Sequence, residues 1–198
     1  MKRNSCVRWA LATATLTATV ALALGCGRTP EGGPSNSDGS GQIQIAEAAR
    51  VVWEAENIEA GSIELPMEIE DNSDASGGKC LSVPPGSGKP DEGAGVGKAV
   101  FGKASYTVQI PRSGKYVFWG RAYWDDGCGN SCAFSVDDSR TPWEFNDSVY
   151  RSWHWVKGQV LELPAGQHKI AIFNREDGVK LDQFLLTTDA VYQPTGIE

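Results

Sequence analysis

The sequence predicts an all-β fold, an antiparallel β-sandwich, on three observations. Short segments rich in β-branched and aromatic residues recur from about residue 51 to 187. Turn signals separate them, among them Pro111-Arg112-Ser113-Gly114, Pro164-Ala165-Gly166 and Glu176-Asp177-Gly178. No helical period of useful length occurs beyond the first 25 residues. Many short strands with regular punctuation pack as two antiparallel sheets, each burying one face against the other.

The expected strands, in order, are 51–56 (VVWEAE), 67–71 (MEIED), 79–83 (KCLSV), 105–110 (SYTVQI) and 115–124 (KYVFWGRAYW). They continue with 132–137 (CAFSVD), 159–163 (QVLEL), 168–174 (HKIAIFN) and 180–187 (KLDQFLLT). Following chain direction through the turns brings loops 84–98, 125–131 and 174–179 to one end of the sandwich. The last of these, Asn174-Arg175-Glu176-Asp177-Gly178, concentrates charge where a catalytic cluster, a metal site, a sugar-contacting loop or a plain charged turn would all fit.

Lys2, Arg3 and Arg8 precede a mostly apolar stretch that ends in Leu22-Ala23-Leu24-Gly25-Cys26, the layout of a secretory signal over residues 1–25. Small residues before a cysteine resemble the lipobox of bacterial lipoproteins, which implies a lipid on Cys26. The alternatives are an ordinary cleaved signal or a single-span anchor, and the stretch is short for a span of ~20 apolar residues. Gly27, where some lipoproteins carry Asp, resembles the outer-membrane sorting pattern, so the expected location is the cell envelope. Residues 26–48, rich in Gly, Ser, Pro and Asn, bury too little apolar surface to repay ordering and are expected to be a flexible tether. A body over 49–190 follows, with a tail over 191–198. The formal charge is −7, and loss of the three basic residues of the signal takes it to −10. An acidic body without a basic run argues against nucleic acid and against electrostatic docking on anionic lipid, leaving the lipid as the one membrane contact. A monomer is expected.

Three cysteines fall in the body. In an oxidising compartment two of them pair. Cys132 shares a strand face with Phe134 and Val136 and reads as core, so the expected bridge is Cys80–Cys128, with Cys128–Cys132 as the alternative.

Several features then coincide: Trp53-Glu54-Ala55-Glu56, Ala75-Ser76-Gly77-Gly78-Lys79, Gly114-Lys115-Tyr116 and Leu181-Asp182. Their order resembles the carbohydrate-binding modules of families 6 and 35, jelly-roll β-sandwiches of the galactose-binding-like class, over about residues 51–187. The tail, Arg175-Glu176-Asp177-Gly178 through Leu185-Leu186-Thr187-Thr188-Asp189, is similar to the C-terminal domain of family 115 glycoside hydrolases. The resemblance implies a structural Ca²⁺ held by Glu54, Glu56 and Asp182 with a backbone carbonyl at Lys79. The residues agree on their own terms. Glu54 and Glu56 are two apart on a strand and project from one face. Two adjacent like charges are unfavourable unless a cation neutralises them, and hard oxygen ligands suit Ca²⁺; the alternative is that both are solvated edge residues and Asp182 caps a turn.

A hydrolase needs paired carboxylates about a cleft. No nucleophile motif occurs, and His154 and His168 read as structural, so independent catalysis is not expected. The resemblance implies instead a non-catalytic site for a polysaccharide or glycan. Trp124 is expected as its stacking face, Asp125 and Asn130 as its neighbours, and Arg175, Glu176 and Asp177 as hydrogen-bonding groups; Trp153 and Trp155 are the next aromatics. The asparagine often found just before the last-strand acid in binding modules is replaced by Val179-Lys180. The alternative function is a lipoprotein scaffold or protein-interaction sandwich.

Overall fold

Apolar residues at every second position along most segments give each strand one face for a core, and the chain folds accordingly. The computed structural model describes residues 47–60, 62–87, 102–137 and 139–198. The signal segment, Cys26, most of the tether and loop positions 88–98 lie outside the described residues. The described unit runs from Glu47 to Glu198.

Among the described residues, eleven strands form two antiparallel sheets. One contains β3 (Glu68–Asp71), β4 (Lys79–Val83), β11 (Val179–Thr187), β6 (Gly114–Trp124) and β9 (His154–Leu163) in that order, with β1 (Arg50–Glu54) also paired to β11. The other runs β2 (Ile63–Glu64), β5 (Lys103–Ile110), β10 (Gly166–Asn174), β7 (Ser131–Val136), β8 (Trp143–Asn146). All nine expected segments are strands. Two short ones, β2 and β8, are additional, and β9 begins at His154 rather than 159.

The main core lies between the sheets. On β6 the even-numbered side chains Tyr116, Phe118, Ala122 and Trp124 are buried there, against Phe134, Phe145 and Phe184. A second, smaller cluster lies on the outer face of the first sheet: Val117, Trp119 and Leu185, packed with Val52, Trp155 and Tyr192. Tyr192 belongs to segment 189–198, so what reads as a tail in the sequence covers part of a sheet face.

The expected disulfide is not made. Cys80 and Cys132 are both free and buried, which removes each as a partner for Cys128. Cys80 sits on β4 opposite Glu70, three residues before the end of the strand, or about 10 Å from the loop end at ~3.3 Å per residue. Cys132 sits in the main core. Burial, chiefly, pushes the Cys80 thiol up to about 12.

Candidate functional site

Two groups of acids single themselves out in the sequence, and the fold treats them differently. Glu54 closes β1 and Glu56 follows it. Asp182 stands on β11 at a register shift against β6 between Leu181 and Gln183. Such a bulge sets two consecutive residues on one side of the sheet. Leu181 and Phe184 remain in the core while Asp182 and Gln183 both turn to the Glu54 side.

Ligand-capable atoms of Glu54, Glu56 and Asp182 lie within 4.8 Å of one another. Donors reach only part of this set. The Ser76 hydroxyl and the Gln183 amide donate to Glu54 Oε1 at 3.1 and 2.9 Å. The Ser76 backbone N–H donates to Asp182 Oδ1 at 2.8 Å, and Arg121 pairs with Asp182 Oδ2. Glu54 Oε2 and Glu56 Oε2 are buried with no hydrogen-bond partner. Burial, chiefly, raises the Glu56 carboxyl above its usual range; its own backbone N–H lowers it, and Glu54 and Asp182 add to the rise. Burial also raises Asp182, against the pull of Arg121.

Three carboxylates and one guanidinium leave a net charge of −2 around two orphaned oxygens. Buried charge of this kind is costly unless paired, and the donor set is all hard oxygen. The residues therefore fit a hard divalent cation. Lys79 follows directly on the 3₁₀ turn Ser76–Gly78, and its ammonium stands away with Asp71 at 3.7 Å. Gly77 has a left-handed φ of 63°, and a Cβ there would stand 2.9 Å from Glu56 Oε1. The turn thus closes tightly on the cluster.

The loop end is assembled as chain direction predicts. Gly86 N–H donates to Asp177 Oδ2 at 2.9 Å, and Asn130 N–H donates to Glu176 Oε2 at 2.8 Å. The Ser131 hydroxyl also donates to Glu176, at 2.7 Å, and itself accepts from Arg175 at 2.8 Å. Arg175 pairs with Glu144 at 3.0 Å. The Asn130 side-chain amide donates to the Asp147 carbonyl. Arg175, Glu176 and Asp177 therefore fasten loops to one another. Asp125 is exposed, 3.8 Å from Arg151.

Trp124 is not a stacking face. It is fully buried, because it continues the inward parity of Tyr116, Phe118 and Ala122. Its indole N–H donates to Asp147 Oδ1 at 3.1 Å, under the loop that joins β8 to β9. Trp153 and Trp155 are half-buried and lie outside the main core: Trp153 stands 5.7 Å from the Tyr123 ring, and Trp155 belongs to the outer cluster. Both histidines are structural, His154 against Asp147 at 3.0 Å and His168 against Asp137 at 2.6 Å.

Three residues at these sites escape the sequence reading. Arg121 is the one cation within the apolar run from Tyr116 to Trp124, and that pattern is a signal for a buried acid nearby. Gln183 carries no such signal, because its placement depends on the bulge. Tyr150, 40% exposed, has its hydroxyl over Gly127 on the 125–130 loop, where a Cβ would stand 3.2 Å from it. It is an exposed aromatic ring at the loop end.

No protein-family model and no curated protein matches this chain. Solved structures do. The C-terminal family 6 carbohydrate-binding module of a marine laminarinase from Zobellia galactanivorans is 18% identical with a TM-score of 0.51, over 70% of this chain and 99% of that one. The Cellvibrio mixtus lichenase 5A module CBM6cm-2, solved with cellotriose, is 20% identical with a TM-score of 0.50, over 73% and 97%. A Podospora anserina GH26–CBM35 β-(1,4)-mannanase is 17% identical with a TM-score of 0.52, over 75% of this chain and 30% of that one. The body described here has the antiparallel β-sandwich fold of the family 6 and 35 carbohydrate-binding modules.

Proposed function

We propose that this chain is a lipid-anchored envelope protein whose sandwich binds a carbohydrate without catalysis and is held together by one Ca²⁺. The observation that carries the sugar reading is likeness over nearly the whole length of a module solved with cellotriose. The anchor rests on the sequence before Cys26, and the outer membrane on Gly27. The cation rests on the two orphaned carboxylate oxygens. When bound, it neutralises the cluster; Glu54, Glu56 and Asp182 hold it, and Arg121 fixes the rotamer of Asp182.

With Trp124 buried, the stacking face at the loop end passes to Tyr150, with Asp125 and Arg151 beside it to meet hydroxyls. Asn130, Arg175, Glu176 and Asp177 set the shape of that end. A single aromatic platform with a few polar contacts gives weak binding, each contact netting about 1–3 kcal/mol. A glycan panel probed with the wild type and with Tyr150→Ala tests this. Binding that the substitution abolishes at unchanged melting temperature is the expected outcome; no binding across the panel overturns it.

The scaffold reading has its own observation in favour: the charged loop is committed to holding its neighbours. A negative panel together with a folded, calcium-binding protein selects it.

A further inference from the structure

Segment 189–198 ends its course over the sheet at Glu198, and Glu198 is held from two sides. Its carboxylate accepts from the Tyr192 hydroxyl at 2.6 Å and pairs with Arg50 at 3.1 Å, while the Arg50 guanidinium lies 4.0 Å over the Tyr192 ring. Its backbone meets the Gln183 side chain, which accepts from Glu198 N–H at 3.0 Å and donates to Glu198 C=O at 3.0 Å. Gln183 is fully buried. Its amide nitrogen also donates to Glu54 Oε1 at 2.9 Å.

That last bond fixes the orientation of the amide. A carboxylate only accepts, so Glu54 must receive the NH₂ end, and the carbonyl end is left for the Glu198 N–H. The same bond occupies Glu54 Oε1, leaving Oε2 as the orphaned atom of the acid cluster. One side chain therefore presents Glu54 to the cluster and pairs with the covering segment.

We infer that cation binding at Glu54, Glu56 and Asp182 and docking of segment 189–198 are coupled through Gln183. This rests on the cation reading proposed above. A bound cation holds Glu54 in the pose that Gln183 serves, so Gln183 stays aligned for Glu198. Without one, repulsion among the three carboxylates frees Glu54 to move, and the pairing with Glu198 loosens. The segment covers the cluster of Val117, Trp119 and Leu185 and accepts the Trp155 indole N–H at Gly196 C=O, at 3.0 Å. Its docking therefore governs access to an apolar, aromatic sheet face, and the cation would act as a latch on that cover.

Coupling is reciprocal: whatever the cation does for the segment, the segment does for the cation. The test uses the full chain in detergent, with calcium affinity measured by calorimetry and amide exchange followed by mass spectrometry. Calcium is expected to slow exchange in 192–198 about tenfold, within the usual 5–150-fold range of coupled sites. The double substitution Arg50→Ala, Tyr192→Ala loosens the segment by freeing the Glu198 carboxylate, without touching Gln183 or the three carboxylates of the cluster, and is expected to weaken calcium about tenfold. If calcium binds but neither exchange nor the variant's affinity changes, the coupling is wrong and the cation reading stands. If the wild type takes up no calcium, both fall.

Discussion

The acid cluster around Asp182 and the charged loop 174–179 look alike as sequence: each sets acids among apolar residues near one basic partner. The fold distinguishes them by who satisfies the charge. At the loop end the protein supplies the partners itself, with backbone N–H groups on Glu176 and Asp177 and carboxylate and hydroxyl on Arg175. At the Asp182 cluster it supplies too few, and two buried oxygens are left over. A charged motif met by the protein's own donors holds loops in place, whereas one with buried oxygens to spare has the chemistry to accept a cation.

The largest expected effect breaks the open site. Asp182→Ala removes the carboxylate paired with the buried Arg121, and stranding one partner of a buried pair costs about 3–5 kcal/mol. For a body of this size that is a fall in melting temperature of about 10 °C. Thermal denaturation of wild type and variant measures it, and a variant that melts within a degree or two refutes the importance of the pair. Calcium should no longer stabilise that variant.

Next comes the cation itself. A ligand that binds only the native state adds about 4 kcal/mol at a thousandfold excess over its dissociation constant. Chelation should therefore lower the wild-type melting temperature by several degrees, and the same drop should persist in Glu176→Ala. A loop-end variant that loses the calcium response would collapse the distinction between the two sites.

Glu176→Ala itself should be milder than Asp182→Ala. It strands the half-buried Asn130 N–H, which can recruit water, and the buried Ser131 hydroxyl, a neutral donor whose unmade bond costs about 1–3 kcal/mol. A melt of this variant beside Asp182→Ala ranks them. The reverse order would mean that the loop end, rather than the cluster, is where buried charge matters.

How far the sequence discloses this contrast depends on the periodicity. The sandwich was legible because its strands alternate and its turns are marked. β2 escaped because two residues make no pattern. β8, Trp143-Glu144-Phe145-Asn146, has a single fully buried position, Phe145. The start of β9 was hidden by Gly158, a residue that weakens a strand reading. Here it is required, since a Cβ would lie 2.8 Å from the Phe118 ring. Trp124 was decipherable and misread: alternation from Tyr116 carried one step past Ala122 puts it inside. The pairing of Asp182 with Gln183 was not decipherable, because a bulge breaks the very parity on which the reading depends. The cysteines failed for another reason. Spacing shows only which pairs are conceivable, and strand order decides which can meet.

The smallest effect sharpens the comparison with a second closed site. His168 is buried and offers both ring nitrogens to acceptors, Asp137 Oδ2 at 2.6 Å and the Pro164 carbonyl at 2.9 Å. Two acceptors on one ring are both served only by imidazolium. Burial pulls the His168 value down, but the bonds to Asp137 and Pro164 outweigh it and hold the folded-state value above the usual one. A group raised on folding contributes stability that is fully present below its unfolded pKa, about 6.5, and that is lost as pH rises through the folded value. Asp137 is half exposed, so solvent screening keeps the contribution under about 1 kcal/mol. The wild type should therefore melt about 2–3 °C lower at pH 8.5 than at pH 6 from this pair. Asp137→Asn, which keeps the shape and removes the charge, should flatten that slope while leaving the calcium response intact. A slope that survives the substitution would show that His168 is neutral in the folded protein and that its two acceptors are not both served.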